Sequence, residues 1–142
     1  MNRKVTRIYF LCYQNRCRSQ MAEAFATYYG GEHLFAESAG LESSDIHPLT
    51  IEAMKEVGID ISNNVSKKLN MKSFMAANAI VKLCEQVTEQ CPIVPFQIMN
   101  VDWNIQDPLA IEGCGIDEVR KARDEIRQKV IDLLKGMNIP IA

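Results

Sequence analysis

The chain has 142 residues, of which 47% are hydrophobic and 24% are charged, and its formal net charge at pH 7 is -2. This composition excludes intrinsic disorder and coiled-coil rods, and the length suits one domain, which we expect to span residues 1–142. The near-neutral charge argues against binding to nucleic acid or a membrane surface, and no apolar run approaches the roughly 18 residues of a membrane span. No secretory apolar core follows Met1–Lys4. We therefore expect a cytoplasmic protein, and we expect it to be a monomer.

Hydrophobic patterning predicts strands that alternate with helices. In chain order, we predict a strand over 4–12, a helix opened by Ser19 and stopped at Gly30, a strand over 34–39, a helix over 48–57, strands over 79–84 and 96–101, and a helix over 116–135. The polar segment Glu85–Gln90 has few large apolar residues and is expected to be mobile. This alternation predicts an α/β fold: a single doubly wound domain with a four-stranded parallel sheet flanked by helices.

The five cysteines are Cys12, Cys17, Cys84, Cys91 and Cys114. An odd number in a reducing compartment argues against a fixed disulfide framework. The remaining alternatives are structural zinc, catalytic or redox thiols, and small buried side chains. Zinc sites use closer cysteine pairs or nearby histidines, which this sequence lacks, so no metal site is predicted.

The loop between the first strand and the first helix carries the candidate chemistry. It has a C-x5-R-S pattern and reads Cys12-Tyr13-Gln14-Asn15-Arg16-Cys17-Arg18-Ser19. Open α/β sheets bind ligands at the carboxyl ends of their strands, where a helix N-terminus attracts anions. There Cys12 can act as a thiolate nucleophile, and Arg18 can hold two oxygens of a tetrahedral anion. The alternative is a buried cysteine followed by a solvated arginine.

This loop resembles that of the low-molecular-weight protein tyrosine phosphatases and of the thioredoxin-coupled arsenate reductases that share their fold. Their loop has asparagine third after the cysteine and ends in Arg-Ser, as Asn15 and Arg18-Ser19 do here. The similarity covers nearly the whole chain, including the region of Cys84 and Cys91, the Asp107-Pro108 pair and the C-terminal helix. Many members have glycine at the position of Gln14.

The resemblance implies roles for these residues. Cys12 would attack the tetrahedral centre while Arg18 and the amides of loop residues 13–17 hold its oxygens. Asp107 would protonate the leaving oxygen. Asn15 would fix the loop, and Ser19 would cap the helix and donate a hydrogen bond to the Cys12 thiolate.

Two features favour the reductases over the phosphatases. Leu109 stands where the phosphatases typically have an aromatic residue that lines the phenyl cleft. Arsenate reduction needs two electrons and hence a second thiol, which the resemblance assigns to Cys84 in a disulfide with Cys12. Cys91 would then attack Cys84, and thioredoxin would reduce the resulting disulfide.

Three functions follow from this comparison. We predict an arsenate reductase that acts on arsenate, receives electrons from thioredoxin and has no bound cofactor. The alternatives are a low-molecular-weight protein tyrosine phosphatase acting through a phosphocysteine, and a non-catalytic oxyanion-binding module. Some of the reductases bind potassium beside the loop. This chain has Val65, Ser66 and Lys67 there, so no required ion is predicted and the Lys67 ammonium is expected to substitute for it.

Overall fold

A computed structural model describes residues 5–141 and contains one parallel sheet of four strands. The strands are β1 (Thr6–Cys12), β2 (Leu34–Gly40), β3 (Ala79–Lys82) and β4 (Met99–Asp102), in the spatial order β2-β1-β3-β4. All three neighbouring pairs are parallel. The predicted four-stranded parallel sheet is thereby confirmed. Lys4, which was predicted as the first strand residue, lies outside the described residues.

Five α-helices flank this sheet within residues 5–141: α1 (Arg18–Gly30), α2 (Pro48–Glu56), α3 (Met71–Ala76), α4 (Glu85–Gln90) and α5 (Ile116–Gly136). Helix α1 packs on β1, β2 and α5, and α2 packs on α5. Helices α3 and α4 contact β1, and α4 also contacts β3. Within α5, Val119, Ile126, Val130 and Leu134 are fully buried, as the amphipathic pattern predicts.

The central strand β1 sets the position of the loop that follows it. From Ile8 to Cys12 every residue of β1 is at most 3% exposed, because β2 and β3 cover its edges and helices cover its faces. Such a strand cannot shift its register without exposing its apolar side chains. Cys12 is therefore held firmly at the carboxyl edge of the sheet.

Several predicted boundaries differ from the structure. Helix α1 begins at Arg18, one residue before Ser19, so the prediction that Ser19 caps it is wrong; Cys17 is the N-cap residue. Strand β3 ends at Lys82, two residues before the predicted end. Strand β4 begins at Met99 because a turn precedes it, closed by a 3.0 Å hydrogen bond from the Ile98 N–H to the Pro95 carbonyl.

The segment Glu85–Gln90 forms helix α4, which the hydrophobic pattern does not predict, and its mobility stays a prediction. Its Val87 side chain is fully buried in the core. Because the other residues of the segment are polar, its average composition does not predict this burial. A backbone hydrogen bond of 2.9 Å from the Cys91 N–H to the Val87 carbonyl closes its last turn. One buried apolar residue thus fixes a helix that is exposed elsewhere.

Candidate active site

The loop of residues 13–17 connects Cys12, the last residue of β1, to Arg18, the first residue of α1. The chain turns at Asn15, whose φ of 52° lies in the left-handed region that asparagine tolerates better than most residues. The N-terminus of α1 offers unpaired N–H groups and a partial positive charge to this loop. The local geometry therefore suits a bound anion.

Asn15 holds the loop in shape through its side-chain amide. Its Nδ2 donates hydrogen bonds to Ser19 Oγ at 2.7 Å and to Ser38 Oγ at 3.0 Å. Its Oδ1 accepts from Gln20 Nε2 at 3.0 Å and from the Lys67 backbone N–H at 2.9 Å. The amide thus uses two donors and two acceptor sites in a fully buried position. Removing one partner would leave a buried polar group unsatisfied, at a cost of about 1–3 kcal/mol.

The sulfur of Cys12 faces two hydrogen-bond partners. Ser19 Oγ lies 2.7 Å from Cys12 Sγ, and the Asn15 backbone N–H donates to the same sulfur at 3.2 Å. Because Asn15 Nδ2 already donates to Ser19 Oγ, the hydroxyl proton of Ser19 can point at the sulfur. Two donors aimed at one sulfur can stabilise negative charge that develops on it.

Arg18 is a buried guanidinium fixed at the floor of the site. It is 6% exposed, and its Nη1 donates a 2.8 Å hydrogen bond to the Ile105 carbonyl. Its Nη2 lies 3.7 Å from Asp107 Oδ2. A guanidinium held on one side by a carbonyl presents its remaining N–H groups to an anion without losing side-chain entropy.

Asp107 lies on the loop after β4 and faces this arginine. Its Oδ1 accepts a 3.0 Å hydrogen bond from the Leu109 N–H and so caps the short 3-10 turn Pro108–Ala110. Its Oδ2 also lies 3.5 Å from Arg16 Nη2. The capping bond orients the carboxyl group, so its other oxygen is directed at the two arginines.

These side chains line one small pocket, whose wall consists of Cys12, Tyr13, Gln14, Arg16, Cys17, Arg18 and Asp107. The structure therefore brings together the predicted nucleophile, the predicted anion-binding arginine and the predicted acid. An adjoining cleft shares Tyr13, Arg18 and Asp107 with the pocket and adds Cys84. Outside the pocket wall, Ser19 Oγ and the Asn15 backbone N–H both contact the Cys12 sulfur.

Cys84 reaches this cleft through the register of the parallel strands. Leu11 pairs with Lys82, and the Leu83 N–H donates to the Leu11 carbonyl at 2.8 Å, which places Cys84 just beyond the end of β1. Cys84 is the N-cap residue of α4 and is 3% exposed. Burial raises the pKa of its thiol, while the Val87 N–H and the Arg18 charge act in the opposite direction.

Cys91 lies at the opposite end of α4 from Cys84 and is partly exposed. A helix rises ~1.5 Å per residue, so seven residues separate the two α-carbons by roughly 10 Å. A disulfide needs α-carbons within about 7 Å of each other. Cys84 and Cys91 can therefore pair only after α4 unwinds.

The two remaining thiols are Cys17 and Cys114. Cys17 is 2% exposed, and burial raises the pKa of its thiol to about 12, so it stays protonated at neutral pH. Cys114 is partly buried, with its sulfur 3.8 Å from the Leu109 carbonyl. All five cysteines are free thiols.

The side-chain oxygens that lie next to Lys67 beside the loop already have hydrogen-bond donors. Asn15 Oδ1 accepts two hydrogen bonds, and Glu23 Oε1 accepts one from Ser38 Oγ at 2.9 Å. The Lys67 Nζ lies 4.0 Å from the same Glu23 oxygen. These residues do not fit an added cation, because an ammonium already faces the carboxylate. Independence from potassium stays a prediction.

Sequence reasoning missed the residues that support the loop from distant elements. A side chain on Gly40 would bring its Cβ within 2.7 Å of the Tyr13 carbonyl oxygen and 2.8 Å of the Asn15 nitrogen, so only glycine fits against the loop. Ser66 Oγ donates to the Gln14 carbonyl at 3.1 Å. Neither contact has a local sequence signal, since each joins the loop to a residue far along the chain.

Residues 5–141 lack a metal-binding cluster and a helix that could span a membrane. They contain no group of three or more histidine, cysteine, aspartate or glutamate side chains arranged to bind a metal ion. No helix in this part of the chain has the length and apolar character needed to cross a bilayer.

A parallel α/β sheet with an anion-binding loop between β1 and α1 defines a class of proteins that bind oxyanions at the helix N-terminus. Residues 7–139 match the family described as "Low molecular weight phosphotyrosine protein phosphatase". The chain belongs to this family, as the sequence resemblance predicts.

Relatives within this fold include arsenate reductases. "Arsenate reductase 2" of Staphylococcus saprophyticus is 42% identical over 123 residues, which cover 87% of this chain and 92% of the relative. The structure "An arsenate reductase in the phosphate binding state" is 32% identical with a TM-score of 0.75, covering 93% of this chain and 98% of the other. A thioredoxin-dependent arsenate reductase from Corynebacterium glutamicum is 28% identical with a TM-score of 0.79, covering 97% of this chain and 64% of the other.

Proposed function

We propose that this protein reduces arsenate to arsenite through three cysteine thiols. The observation that carries the proposal is a second thiol, Cys84, on the wall of the cleft that adjoins the oxyanion pocket. Hydrolysis of a phosphate ester needs no such thiol, whereas a two-electron reduction does. The similarity to arsenate reductases along most of the chain supports arsenate as the substrate.

The first step joins arsenate to the enzyme. The Cys12 thiolate attacks the As(V) centre, while Arg18 and the loop amides hold the other oxygens. Substrate binding displaces the Asp107 carboxyl group from the two arginines, and Asp107 delivers a proton to the oxygen that leaves as water. Arsenic keeps its oxidation state in this step.

The second step transfers the electrons. The Cys84 thiolate attacks Cys12 Sγ, the sulfur–arsenic bond breaks, and its electron pair stays on arsenic as As(III). Arsenite leaves, and Cys12 and Cys84 form a disulfide. Because burial raises the pKa of Cys84, this step should accelerate as the pH rises.

The third step moves the disulfide outward. Cys91 attacks Cys84 as α4 unwinds, which returns Cys12 as a thiolate and leaves a Cys84–Cys91 disulfide. Cys91 is already partly exposed, so a protein reductant can reach this bond better than one inside the pocket. We propose thioredoxin as that reductant, which is supported by the thioredoxin-dependent relative from Corynebacterium glutamicum. A monomer in the reducing cytoplasm would suit this partner and five free thiols.

A coupled assay tests this proposal. Arsenate should drive NADPH oxidation in the presence of the enzyme, thioredoxin and thioredoxin reductase, and phosphate should compete with arsenate. An absence of arsenate-dependent oxidation, with arsenate binding intact by calorimetry, would favour the oxyanion-binding module instead.

Phosphate ester hydrolysis is the second candidate. It is favoured by the convergence of Cys12, Arg18 and Asp107 on one pocket, which is all that a phosphocysteine mechanism needs. Hydrolysis of an aryl phosphate should be measured beside the arsenate assay. Fast hydrolysis without arsenite production would assign the protein to the phosphatases.

A further inference from the structure

Two large apolar side chains lie fully exposed in the segment of residues 92–98, which joins α4 to β4. Ile93 is 94% exposed and Phe96 is 104% exposed, the two largest fractions among the large hydrophobic side chains of residues 5–141. Met99, the first residue of β4, is also exposed. Folding gains nothing from apolar side chains that stay in water. Several of them grouped in one short segment indicate an interaction surface, whereas single ones scattered over a protein do not.

The 92–98 segment is anchored to the sheet. Ile98 is 7% exposed, and its N–H donates to the Pro95 carbonyl at 3.0 Å, which closes a turn that contains Phe96. The Met99 N–H donates to the Asn78 carbonyl at 3.0 Å where β4 begins. The two prolines of the segment have a fixed φ. None of these anchors belongs to α4, so the segment can keep its shape while α4 unwinds, and it loses little entropy on binding a partner.

This segment begins directly after Cys91, the partly exposed thiol of the proposed cycle. At no more than ~3.6 Å per residue, the α-carbon of Ile93 lies within about 7 Å of that of Cys91, and that of Phe96 within about 18 Å. An ordinary protein interface covers about 800 Å² on each partner, a disc with a radius of roughly 16 Å. A protein whose thiol bonds to Cys91 therefore covers Ile93 and reaches Phe96.

The charges along this part of the chain argue against other partners. Between Lys82 and Arg120 the sequence has no lysine, arginine or histidine. Glu89 and Asp102, on either side of the 92–98 segment, are exposed carboxylates. Nucleic acids and anionic lipid surfaces are attracted by positive charge, which these residues do not supply. A second copy of the chain would bring the same carboxylates into the contact, so a different protein with an apolar surface fits better.

We propose that Ile93 and Phe96 form the docking surface for the protein thiol reductant, which carries apolar side chains around its own nucleophilic thiol. The inference rests on the proposed function and adds the surface that recognises thioredoxin. The reductant's thiolate bonds to Cys91 Sγ, the Cys84–Cys91 bond breaks, and Cys84 leaves as a thiolate. The reductant's second thiol then attacks its first, which releases Cys91 as a thiolate. The reductant supplies both electrons and ends as a disulfide.

The test separates docking from the chemistry of arsenate. A full-length parent variant has serine in place of Cys12, Cys84 and Cys114, and it keeps Cys17, which is 2% exposed and shielded from reagents. A nitrobenzoate disulfide reagent converts Cys91 to a mixed disulfide with thionitrobenzoate. Reduced thioredoxin or dithiothreitol then attacks this disulfide, and the release of coloured thionitrobenzoate gives the rate.

Ile93→Ser and Phe96→Ser, combined in this parent, should slow the release by thioredoxin by roughly tenfold, because the apolar contact is lost. The release by dithiothreitol should stay unchanged, since a small thiol needs no docking surface. Met75→Ser, which removes an exposed apolar side chain from α3, is the matched control and should change neither rate. Because both substituted side chains are fully exposed, the thermal stability should match that of the parent.

An unchanged rate with thioredoxin, or equal slowing with both reductants, would overturn the proposal. So would a parent that sediments as a dimer and becomes a monomer on these substitutions, since a second copy would then cover the surface. Should the parent fail to fold by circular dichroism, alanine replaces serine at the buried Cys84 and the same rates are compared. Arsenite release by the unmodified enzyme is measured separately, and its absence would reject the proposed function without altering the thioredoxin rates.

Discussion

The Arg16 guanidinium lies 3.5 Å from the Asp107 carboxylate across the mouth of the oxyanion pocket. The same carboxylate oxygen lies 3.7 Å from Arg18, so two cations face one anion where the substrate must enter. An incoming oxyanion competes with Asp107 for these charges. On the proposed mechanism, the Asp107 side chain would therefore couple oxyanion binding to proton transfer.

Asp107→Asn should separate these two effects. It removes the competing negative charge, so phosphate should bind at least as tightly, while kcat should fall by roughly 10²- to 10⁴-fold because the acid is lost. Calorimetry with phosphate and steady-state kinetics measure the two quantities. Asp60→Asn, in an exposed turn, is the control. A decrease in kcat of only twofold would show that Asp107 stabilises its turn and does not act as the acid.

The two pocket arginines should contribute unequally to anion binding. Arg18 is nearly buried, with its side chain 7% exposed, whereas that of Arg16 is 28% exposed and better screened by water. Arg18→Gln should abolish measurable phosphate binding, and Arg16→Gln should weaken it by only about fivefold, or ~1 kcal/mol. Titration calorimetry at two salt concentrations checks this order. Equal losses would show that Arg16 also contacts the anion directly.

The later thiols should give distinct phenotypes. Cys84→Ser should eliminate arsenite release while leaving any aryl phosphate hydrolysis nearly intact. Cys91→Ser should release about one arsenite per enzyme and stop with Cys12 bonded to Cys84, where thioredoxin has poor access. Peptide mapping by mass spectrometry identifies the linkage, and Cys114→Ser is the matched control. Repeated turnover by both variants would contradict the three-thiol cycle.

Acid stability should depend on Glu56, which joins α2 to α5. Hydrogen bonds from Arg120, and also from Arg123, lower the pKa of Glu56 to about 2. Since its unfolded value is near ~4.3, its stabilising effect is complete above that pH and is lost as the pH falls toward 2.

Glu56→Gln should therefore be less stable than the parent at pH 7, and the difference should disappear near pH 2. Urea unfolding at pH 7, 4 and 2.5 measures this convergence. Glu52→Gln, an exposed carboxylate on the same helix, is the control. If the difference in unfolding free energy between Glu56→Gln and the parent stays constant with pH, the ion pairs with Arg120 and Arg123 are not its cause.

Potassium should have no effect on turnover. The Lys67 ammonium already faces the Glu23 carboxylate, and the side-chain Oδ1 of Asn15 accepts hydrogen bonds from two donors. Arsenate reduction should proceed equally in potassium chloride and sodium chloride at the same ionic strength. A severalfold stimulation specific to potassium would show that an ion displaces Lys67.

Local patterns in the chain were enough to place the oxyanion loop. The buried run of β1, the C-x5-R motif and the apolar face of α1 are contiguous, so Cys12 and Arg18 must meet at a helix N-terminus wherever that unit packs. The sequence pattern does not predict helix α4, because Val87 is the one large apolar residue in a polar segment. The predicted start of β4 is wrong because apolar Phe96 resembles a strand residue, whereas it lies fully exposed in a turn.

The partnerships that shape the site depend on tertiary structure. Arg16 meets Asp107 across 91 positions of sequence, and Asn15 meets Lys67 across 52. Lys82 faces Asp102 because β3 and β4 pair in one particular register. Such contacts have no periodicity along the chain, since strand order and register bring the residues together only after the sheet has formed. The sequence alone thus identifies the candidate reacting groups, Cys12 and Arg18. The order and register of the strands determine which charged side chains, such as Asp107, lie beside them.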